Sequence, residues 1–227
     1  MLRALAPDLW VATHKLKFWG TPVVTRMTIV RLADGSLFVV GPVKRTPELD
    51  REVAPLGPVH WVVAPNRYHH LFAGPWADLP DARLYGAPGL ANKRKDLRLH
   101  GVLGSVAPPG WAGQIDQEHL ALPLLQEVVF FHRASRTLIA TDLFFNYPPT
   151  KSPLVRLVRL VEDCNGKFTV PRMVRLLVRD RHAFARSVER ILAWDFDRII
   201  VAHGDVVETG GHARAAEALH RLTGTRP

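Results

Sequence analysis

The chain has 227 residues, of which 47 % are hydrophobic and 22 % charged, a composition that excludes a disordered, collagenous or coiled-coil protein. Its single cysteine, Cys164, excludes an internal disulfide framework and a cysteine-rich zinc site, so any metal must be held by histidine and carboxylate. The net charge of +9 is local, because residues 151–190 carry ten Lys and Arg against four acids and residues 83–98 carry five against one.

The N-terminal residues have no apolar stretch of signal-peptide length before Pro7, and no apolar run reaches the ~18 residues of a transmembrane helix. We therefore expect a cytoplasmic protein. The basic stretches could suit nucleic acid, but aromatic residues are not interleaved with them and no nucleic-acid motif is present. A nucleic-acid partner is accordingly not expected.

The first third of the chain is typical of β-structure. Apolar runs at residues 9–13, 23–32 and 37–40 predict strands, and Asp34-Gly35 between the last two predicts a hairpin turn. A short helix is predicted over residues 47–54, with Thr46 as its N-cap. Residues 59–64 are almost continuously apolar, which indicates a strand buried on both faces in a layered α/β arrangement.

From residue 83 onward the pattern alternates short apolar strands with helical stretches. Ser152 and Pro153 are typical of a helix start, and Phe184, Val188 and Ile191 form one apolar stripe. The elements predicted in this part are strands at 83–87, 127–131, 137–140 and 196–202 and helices at 93–95, 154–161, 176–192 and 213–222. Because no repeat or low-complexity linker interrupts the chain, we predict one domain over residues 1–227, with a basic helical insertion at about 151–190.

Polar side chains follow three of the apolar strands at the point where each strand ends. They lie at residues 66–70 (Asn66, Arg67, Tyr68, His69, His70), at Thr141-Asp142 and at His203-Gly204-Asp205. Loops that follow the strands of a layered α/β sheet converge, so these side chains are expected to meet. Their imidazoles and carboxylate suit Zn²⁺, Fe²⁺ or Mn²⁺.

The order of these motifs resembles the metallo-β-lactamase-fold superfamily. In that superfamily a strand is followed by H-x-H-x-D-H, a strand–turn–strand ends in Gly or Thr before Asp, and a late strand ends in His-Gly. Thr141-Asp142 and His203-Gly204 match the last two motifs, and the PN..HHLF pattern at residues 65–72 is similar to an uncharacterised branch of the superfamily. The resemblance implies an α/β fold, a four-layer αββα sandwich in a single domain.

The first motif departs from that pattern, because Pro65 and Arg67, or in the other register Asn66 and Tyr68, stand where the His-x-His pair is expected. Residues 122–124 also lack the middle histidine of the family. The resemblance therefore implies a mononuclear site. Its implied ligands are His70, Asp142 and His203, with His69 as a fourth ligand or beside the metal. Zinc is the expected ion, and iron, manganese or no metal at all stay open.

The activity implied by the resemblance is metal-dependent hydrolysis with water as nucleophile, and His69 and Asp142 are its implied catalytic residues. Four residues are expected to bind substrate: Asn66, Tyr68, Lys93 and Arg94. The two basic members favour a small anionic substrate. The alternative is a non-catalytic protein of the same fold that has lost its metal and binds a ligand or partner through the old pocket. The oligomeric state is left open.

Several further residues have a structural interpretation. Glu127 is expected to pair with Arg133 or Arg136 across its hairpin, and Asp205 either orients His203 or caps a loop. Cys164 lies beside two acids and is not expected to be a nucleophile. The basic segment 151–190 is expected to pack over the sheet, with contact to a partner, a lipid headgroup or nucleic acid as the alternative.

Overall fold

The structure, a computed structural model, describes residues 1–18 and 21–223, and its largest element is a seven-stranded sheet. The strands lie in chain order, antiparallel from the first to the fourth and parallel from the fourth to the seventh. They are β1 (Leu2–Ala6), β2 (Leu9–Phe18), β3 (Thr21–Arg31), β4 (Leu37–Val40), β5 (Val59–Ala64), β6 (Arg83–Gly86) and β7 (Gly101–Val102).

Two smaller sheets follow. The remaining strands are β8 (Ile115–Leu120), β9 (Glu127–His132), β10 (Thr137–Ile139), β11 (Phe145–Asn146), β12 (Phe168–Thr169), β13 (Arg198–Ile200) and β14 (His203–Gly204). Four of them form a sheet in the order β13-β10-β9-β8, and three form a sheet in the order β12-β11-β14. Since β13 pairs in parallel with β10, the strands that precede Asp142 and His203 end side by side.

Helices cover the outer faces of the two larger sheets. They are α1 (Pro47–Val53), α2 (Ala73–Ala77), α3 (Leu90–Lys93), α4 (Pro153–Val161), α5 (Arg172–Leu177), α6 (Arg181–Leu192) and α7 (Gly211–Thr223). Trp76 and Leu90 of α2 and α3 pack on the first sheet, while Val188 and Leu219 of α6 and α7 pack on the second. The predicted four-layer αββα sandwich is therefore confirmed.

A third core fills the space between the two larger sheets. Phe38 of β4 and Phe130 of β9 meet there with ring centroids 5.5 Å apart. Trp111, in the loop before β8, is fully buried with its ring centroid 4.9 Å from that of Phe38 and 5.3 Å from that of Trp61. This packing holds the strand ends in a fixed relation, which the site below requires.

The local signals account for most element boundaries. The turn after β3 has Gly35 at φ 83°, and the Thr46 side chain accepts the Leu49 N–H to cap α1, as predicted. The helix predicted over 176–192 is instead two helices, because Asp180 accepts the Ala183 N–H at 2.8 Å and starts α6 afresh. The helix predicted at 93–95 is also displaced, since α3 ends at Lys93. Strands β1 and β8 had not been predicted.

The basic segment forms α4, α5 and α6, and its proposed boundaries as an insertion stay a prediction. Helices α5 and α6 contribute buried side chains, whereas α4 contributes none. Over residues 1–18 and 21–223, no helix combines the length and the apolar character needed to cross a bilayer.

Cys164 is buried at 1 % exposure, and burial together with the nearby Glu162 raises the pKa of its thiol to about 11. We expect the native protein to react with iodoacetamide at pH 8 at least ~100-fold more slowly than the urea-unfolded chain, because the thiolate is the reactive form. The rate should rise about tenfold per pH unit as the pH approaches that pKa. Mass spectrometry of the alkylated fraction measures this, and equal rates in the native and unfolded protein would refute it.

Candidate metal centre

Three side chains from three strand ends meet at one edge of the sandwich. His69 lies in the loop after β5, Asp142 follows β10, and His203 begins β14 just after β13. Their ligand atoms are almost equally spaced. His69 Nε2 is 3.4 Å from Asp142 Oδ2, His203 Nε2 is 3.2 Å from Asp142 Oδ1, and the two Nε2 atoms are 3.3 Å apart. The side chains are only 8 %, 8 % and 11 % exposed in that order.

Strand β3 holds both imidazoles from the first sheet. His203 Nδ1 donates to the Val24 carbonyl oxygen at 2.8 Å, because that oxygen can only accept, and the neutral ring therefore carries its lone pair on Nε2. His69 Nδ1 lies 3.4 Å from Thr25 Oγ1. The rings are thus oriented with Nε2 toward Asp142. Because His203 has Val24 as its partner, the suggestion that Asp205 orients this ring is not needed.

Arg26, the next residue of β3, positions the chain on either side of His203. Its buried guanidinium donates to the Val201 carbonyl oxygen and, at 2.6 Å, to the Gly204 carbonyl oxygen. Burial lowers the pKa of Arg26 from its ordinary value. Sequence reasoning missed this role, although a buried-strand pattern interrupted by the polar pair Thr25 and Arg26 was a usable signal.

Asn66 joins the first and second strand ends. It is fully buried, and its Nδ2 donates to Asp142 Oδ2 at 2.7 Å and to Thr141 Oγ1 at 3.0 Å. Its Oδ1 accepts the backbone N–H groups of Tyr68 and His69 at 2.8 and 2.7 Å. Asn66 therefore positions Asp142 and His69, and its burial corrects the prediction that it contacts substrate.

Glu127 lies behind Asp142. It is fully buried, and its carboxylate accepts the backbone N–H groups of Thr141 and Asp142 at 2.8 and 3.0 Å. The predicted pairing across the hairpin is wrong, because Arg133 pairs with Asp116 at 2.7 Å and Arg136 pairs with Asp195 at 2.5 Å.

The two buried carboxyl groups are opposite in proton affinity. Burial and the nearby Asp142 charge raise the pKa of Glu127 to about 7. Burial acts in the same direction on Asp142, but His69 and His203 outweigh it and hold the pKa of Asp142 well below its usual range. The Asp142 carboxylate is therefore the anionic member of the site.

His70 points away from this group. Its Nδ1 accepts from Arg94 Nη1 at 2.9 Å, and burial together with Lys93 and Arg94 lowers the pKa of His70 to about 4. Among the described residues, the group able to hold a metal is His69, Asp142 and His203. This geometry corrects the ligand set expected from the resemblance, since His69 occupies the place assigned to His70.

The remaining predicted substrate residues lie on the neighbouring surface. Lys93 Nζ lies 4.6 Å from the ring centroid of Tyr68 and donates to the Arg67 carbonyl oxygen at 2.6 Å. Arg94 pairs with Asp96 at 2.6 Å, so its charge is largely neutralised. Tyr68 and Lys93 are exposed beside His69, whereas Arg94 serves mainly to hold His70.

The donor set fits a metal ion. In a tetrahedral zinc site with bonds of about 2.0–2.1 Å, neighbouring ligand atoms are roughly 3.3 Å apart, and the three spacings here are 3.2, 3.3 and 3.4 Å. The lone pair of His203 Nε2 faces a carboxylate oxygen, an arrangement that is repulsive unless a cation, either a proton or a metal, lies between them. Two imidazoles and one carboxylate are also a common set for catalytic zinc.

The fold and this site define a protein of the metallo-β-lactamase fold. The chain superposes on a metallo-β-lactamase from Pontibacter korlensis with a TM-score of 0.65 and 11 % identity, over 97 % of this chain and 98 % of that one. FIM-1 from Pseudomonas aeruginosa, solved in its mono-zinc form, gives 0.61 and 13 % over 98 % and 96 %. The metal-soaked Flv1 flavodiiron core from Synechocystis sp. PCC6803 gives 0.66 and 11 % over 99 % and 60 %.

Within that fold the chain belongs to the family described as Domain of unknown function (DUF4336), whose model matches residues 8–163. The resemblance inferred from the strand-end motifs is thereby confirmed. No curated protein matches the chain. At these identities the similar structures establish the fold alone.

Proposed function

We propose that this protein binds one divalent metal ion, with zinc the best fit, through His69, Asp142 and His203, and that it is a metal-dependent hydrolase. The observation that carries the proposal is the near-equilateral triangle of the three ligand atoms, with sides of 3.2–3.4 Å. A mono-zinc form of the similar FIM-1 structure supports a single ion in this fold. Iron and manganese share enough of this ligand chemistry to be tested beside zinc.

The chain's own residues prepare the site before any metal binds. Val24 keeps the lone pair of His203 on Nε2, and Asn66 holds the Asp142 carboxylate while fixing the backbone of His69. Such outer partners reduce the rearrangement that metal binding requires. When bound, a metal with three protein ligands supplies Lewis acidity and an acidified water molecule, the chemistry of hydrolysis.

An anionic substrate is the best match to the surface beside the site. Lys93 and Tyr68 present an ammonium group and an aromatic ring next to the loop that carries His69. The carbonyl oxygen of Arg67 uses only one of the donors of Lys93 Nζ, which leaves others for a phosphate or carboxylate. A negatively charged ester or phosphoester is therefore the substrate class that we propose.

The test is metal analysis joined to hydrolysis assays on the full chain. We expect about one zinc per chain, and we expect cleavage of a nitrophenyl phosphodiester to stop on chelation and return with added zinc. A Lys93→Ala variant should raise KM for that anionic ester and leave hydrolysis of neutral nitrophenyl acetate unchanged. A protein purified and refilled with zinc, iron or manganese that holds no metal above background would refute the site.

A specific observation favours the second candidate, a metal-binding protein without catalysis. The side chains of His69 and Asp142 are each only 8 % exposed, so little of the site is open to a substrate. Stoichiometric metal without any metal-dependent cleavage across anionic and neutral esters would establish this alternative and reject the hydrolase.

A further inference from the structure

Helix α4 presents its apolar side to solvent. Leu154 and Leu157 are 62 % and 60 % exposed, and Leu160 and Val161 are each 53 % exposed. No residue of the helix is buried. Exposed leucines are ordinary when scattered, but a continuous stripe on a single helix marks a contact surface.

The polar side of α4 is the side that faces the protein. The Arg159 guanidinium lies 4.0 Å from the ring centroid of Tyr147 and donates to the Pro148 carbonyl oxygen at 2.8 Å. Leu154, Leu157 and Val161 recur at three- and four-residue intervals, so they share the opposite face. This arrangement is the reverse of a helix that packs on a core, and it requires an apolar partner outside the described chain.

The surroundings of this stripe are basic. Lys151, Arg156, Arg172 and Arg179 are exposed, and among the described residues none of them has an ion pair. The nearby acid Asp163 is already engaged by Lys167 and Arg175. The segment 151–190 has ten Lys and Arg against four acids, so the unpaired charge at this face is positive.

This charge decides between occupants. A symmetric dimer through α4 would bring two positive faces of a +9 protein together, which electrostatic repulsion disfavours. An anionic bilayer accepts both features, because leucine side chains enter the acyl boundary while Lys and Arg contact the headgroups. We infer that α4 is an in-plane docking helix for an anionic lipid surface. The inference does not depend on the proposed hydrolase activity.

Docking through α4 would bring the metal centre near the bilayer surface. Arg159 of α4 lies on Tyr147, and the ring centroid of Tyr147 is 6.4 Å from that of His203. One aromatic side chain therefore separates the docking helix from the site. A headgroup phosphate at the surface would lie on the same side of the molecule as His203.

The experiment is co-sedimentation of the full chain with vesicles, either pure phosphatidylcholine or phosphatidylcholine with about one third phosphatidylserine. We expect binding to the anionic vesicles that falls at least tenfold between low and physiological salt. The double variant Leu154→Asp/Leu157→Asp should lose binding at least tenfold, because two charges then face the acyl boundary. Arg156→Ala should lose about fivefold.

Matched controls lie on exposed parts of the chain away from α4. Val106→Asp places a charge at an equally exposed apolar residue, 84 % exposed, and Arg98→Ala removes an exposed cation. Both should bind like the native chain. The inference is overturned if the leucine variant binds as the native chain does, or if the native chain ignores anionic vesicles. A dimer in sedimentation velocity that the leucine variant abolishes would assign the face to a second copy instead.

Discussion

Replacing Asp142 by alanine is expected to lower the affinity for Zn²⁺ by more than about 100-fold, beyond the range typical of outer partners of metal ligands. The carboxylate is the anionic member of the triangle, and it is 3.2 and 3.4 Å from the two histidine nitrogens. Its loss leaves two neutral imidazoles, a poor site for a hard-to-borderline cation. Competition against a chromophoric chelator measures the affinity.

Two further variants make this prediction specific. Asn66→Ala should lose about 10–100-fold, because it removes a hydrogen bond that orients Asp142 while leaving every ligand in place. His70→Ala should change zinc affinity little, since His70 Nδ1 is occupied by Arg94. Asp142→Asn keeps the side-chain shape and guards against misfolding of the alanine variant. If His70→Ala weakened zinc binding as much as His69→Ala, the ligand assignment drawn from the geometry would fail.

Replacing Trp111 by alanine is expected to lower the free energy of unfolding by about 3–5 kcal/mol, the usual cost of truncating a buried aromatic side chain. Trp111 is fully buried between the two larger sheets, with its ring 4.9 Å from Phe38 and 5.0 Å from Tyr85. Its Nε1 also donates to Gln117 Oε1 at 3.0 Å, so the variant leaves a cavity and an unpaired buried acceptor. Urea unfolding followed by circular dichroism measures the change.

The size of this effect is a large part of the total stability of about 5–15 kcal/mol expected for a domain. The comparison variant is Trp10→Ala on β2, where the indole is only partly buried and lies 5.7 Å from the Arg31 guanidinium. It should cost less than half as much. Equal losses in the two variants would mean that packing between the sheets does not dominate the stability of this sandwich.

Local chemistry explains why many elements could be predicted. The cap of α1 at Thr46, the turn at Gly35 and the buried strand β5 each depend on residues close in sequence, and each is present in the structure. The helix break before Asp180 was missed because an apolar stripe continues on both sides of it. A capping side chain can restart a helix without changing the hydrophobic pattern.

The candidate site was predictable to a similar depth. Polar residues at the ends of apolar strands indicated Asp142 and His203, since strand ends of a layered sheet converge whatever the loops do. The choice between His69 and His70 could not be made in this way, because adjacent residues in a loop point in different directions. The positions of Asn66, with its Oδ1 on the His69 N–H, and of Arg94 beside His70 decide it.

The positive charge followed the same division. Composition located it in residues 83–98 and 151–190, and the absence of nucleic-acid motifs could be read directly from the sequence. Whether an apolar residue of α4 faces the core or the solvent depends on which side of the helix meets the sheet. Arg159 meets the protein through Tyr147, so the leucines face outward.

The amino-acid sequence by itself determined the class of fold, the strand ends that carry the site and the absence of a cysteine ligand, because each follows from residue types and short-range order. Only the tertiary structure decided that His69 completes the triangle, that Val24, Thr25 and Arg26 of a distant strand support it, and that Glu127 is buried behind Asp142. The physical reason is that ligand geometry, burial and hydrogen-bond partners arise between segments far apart in the chain, and no local pattern records which of them will meet.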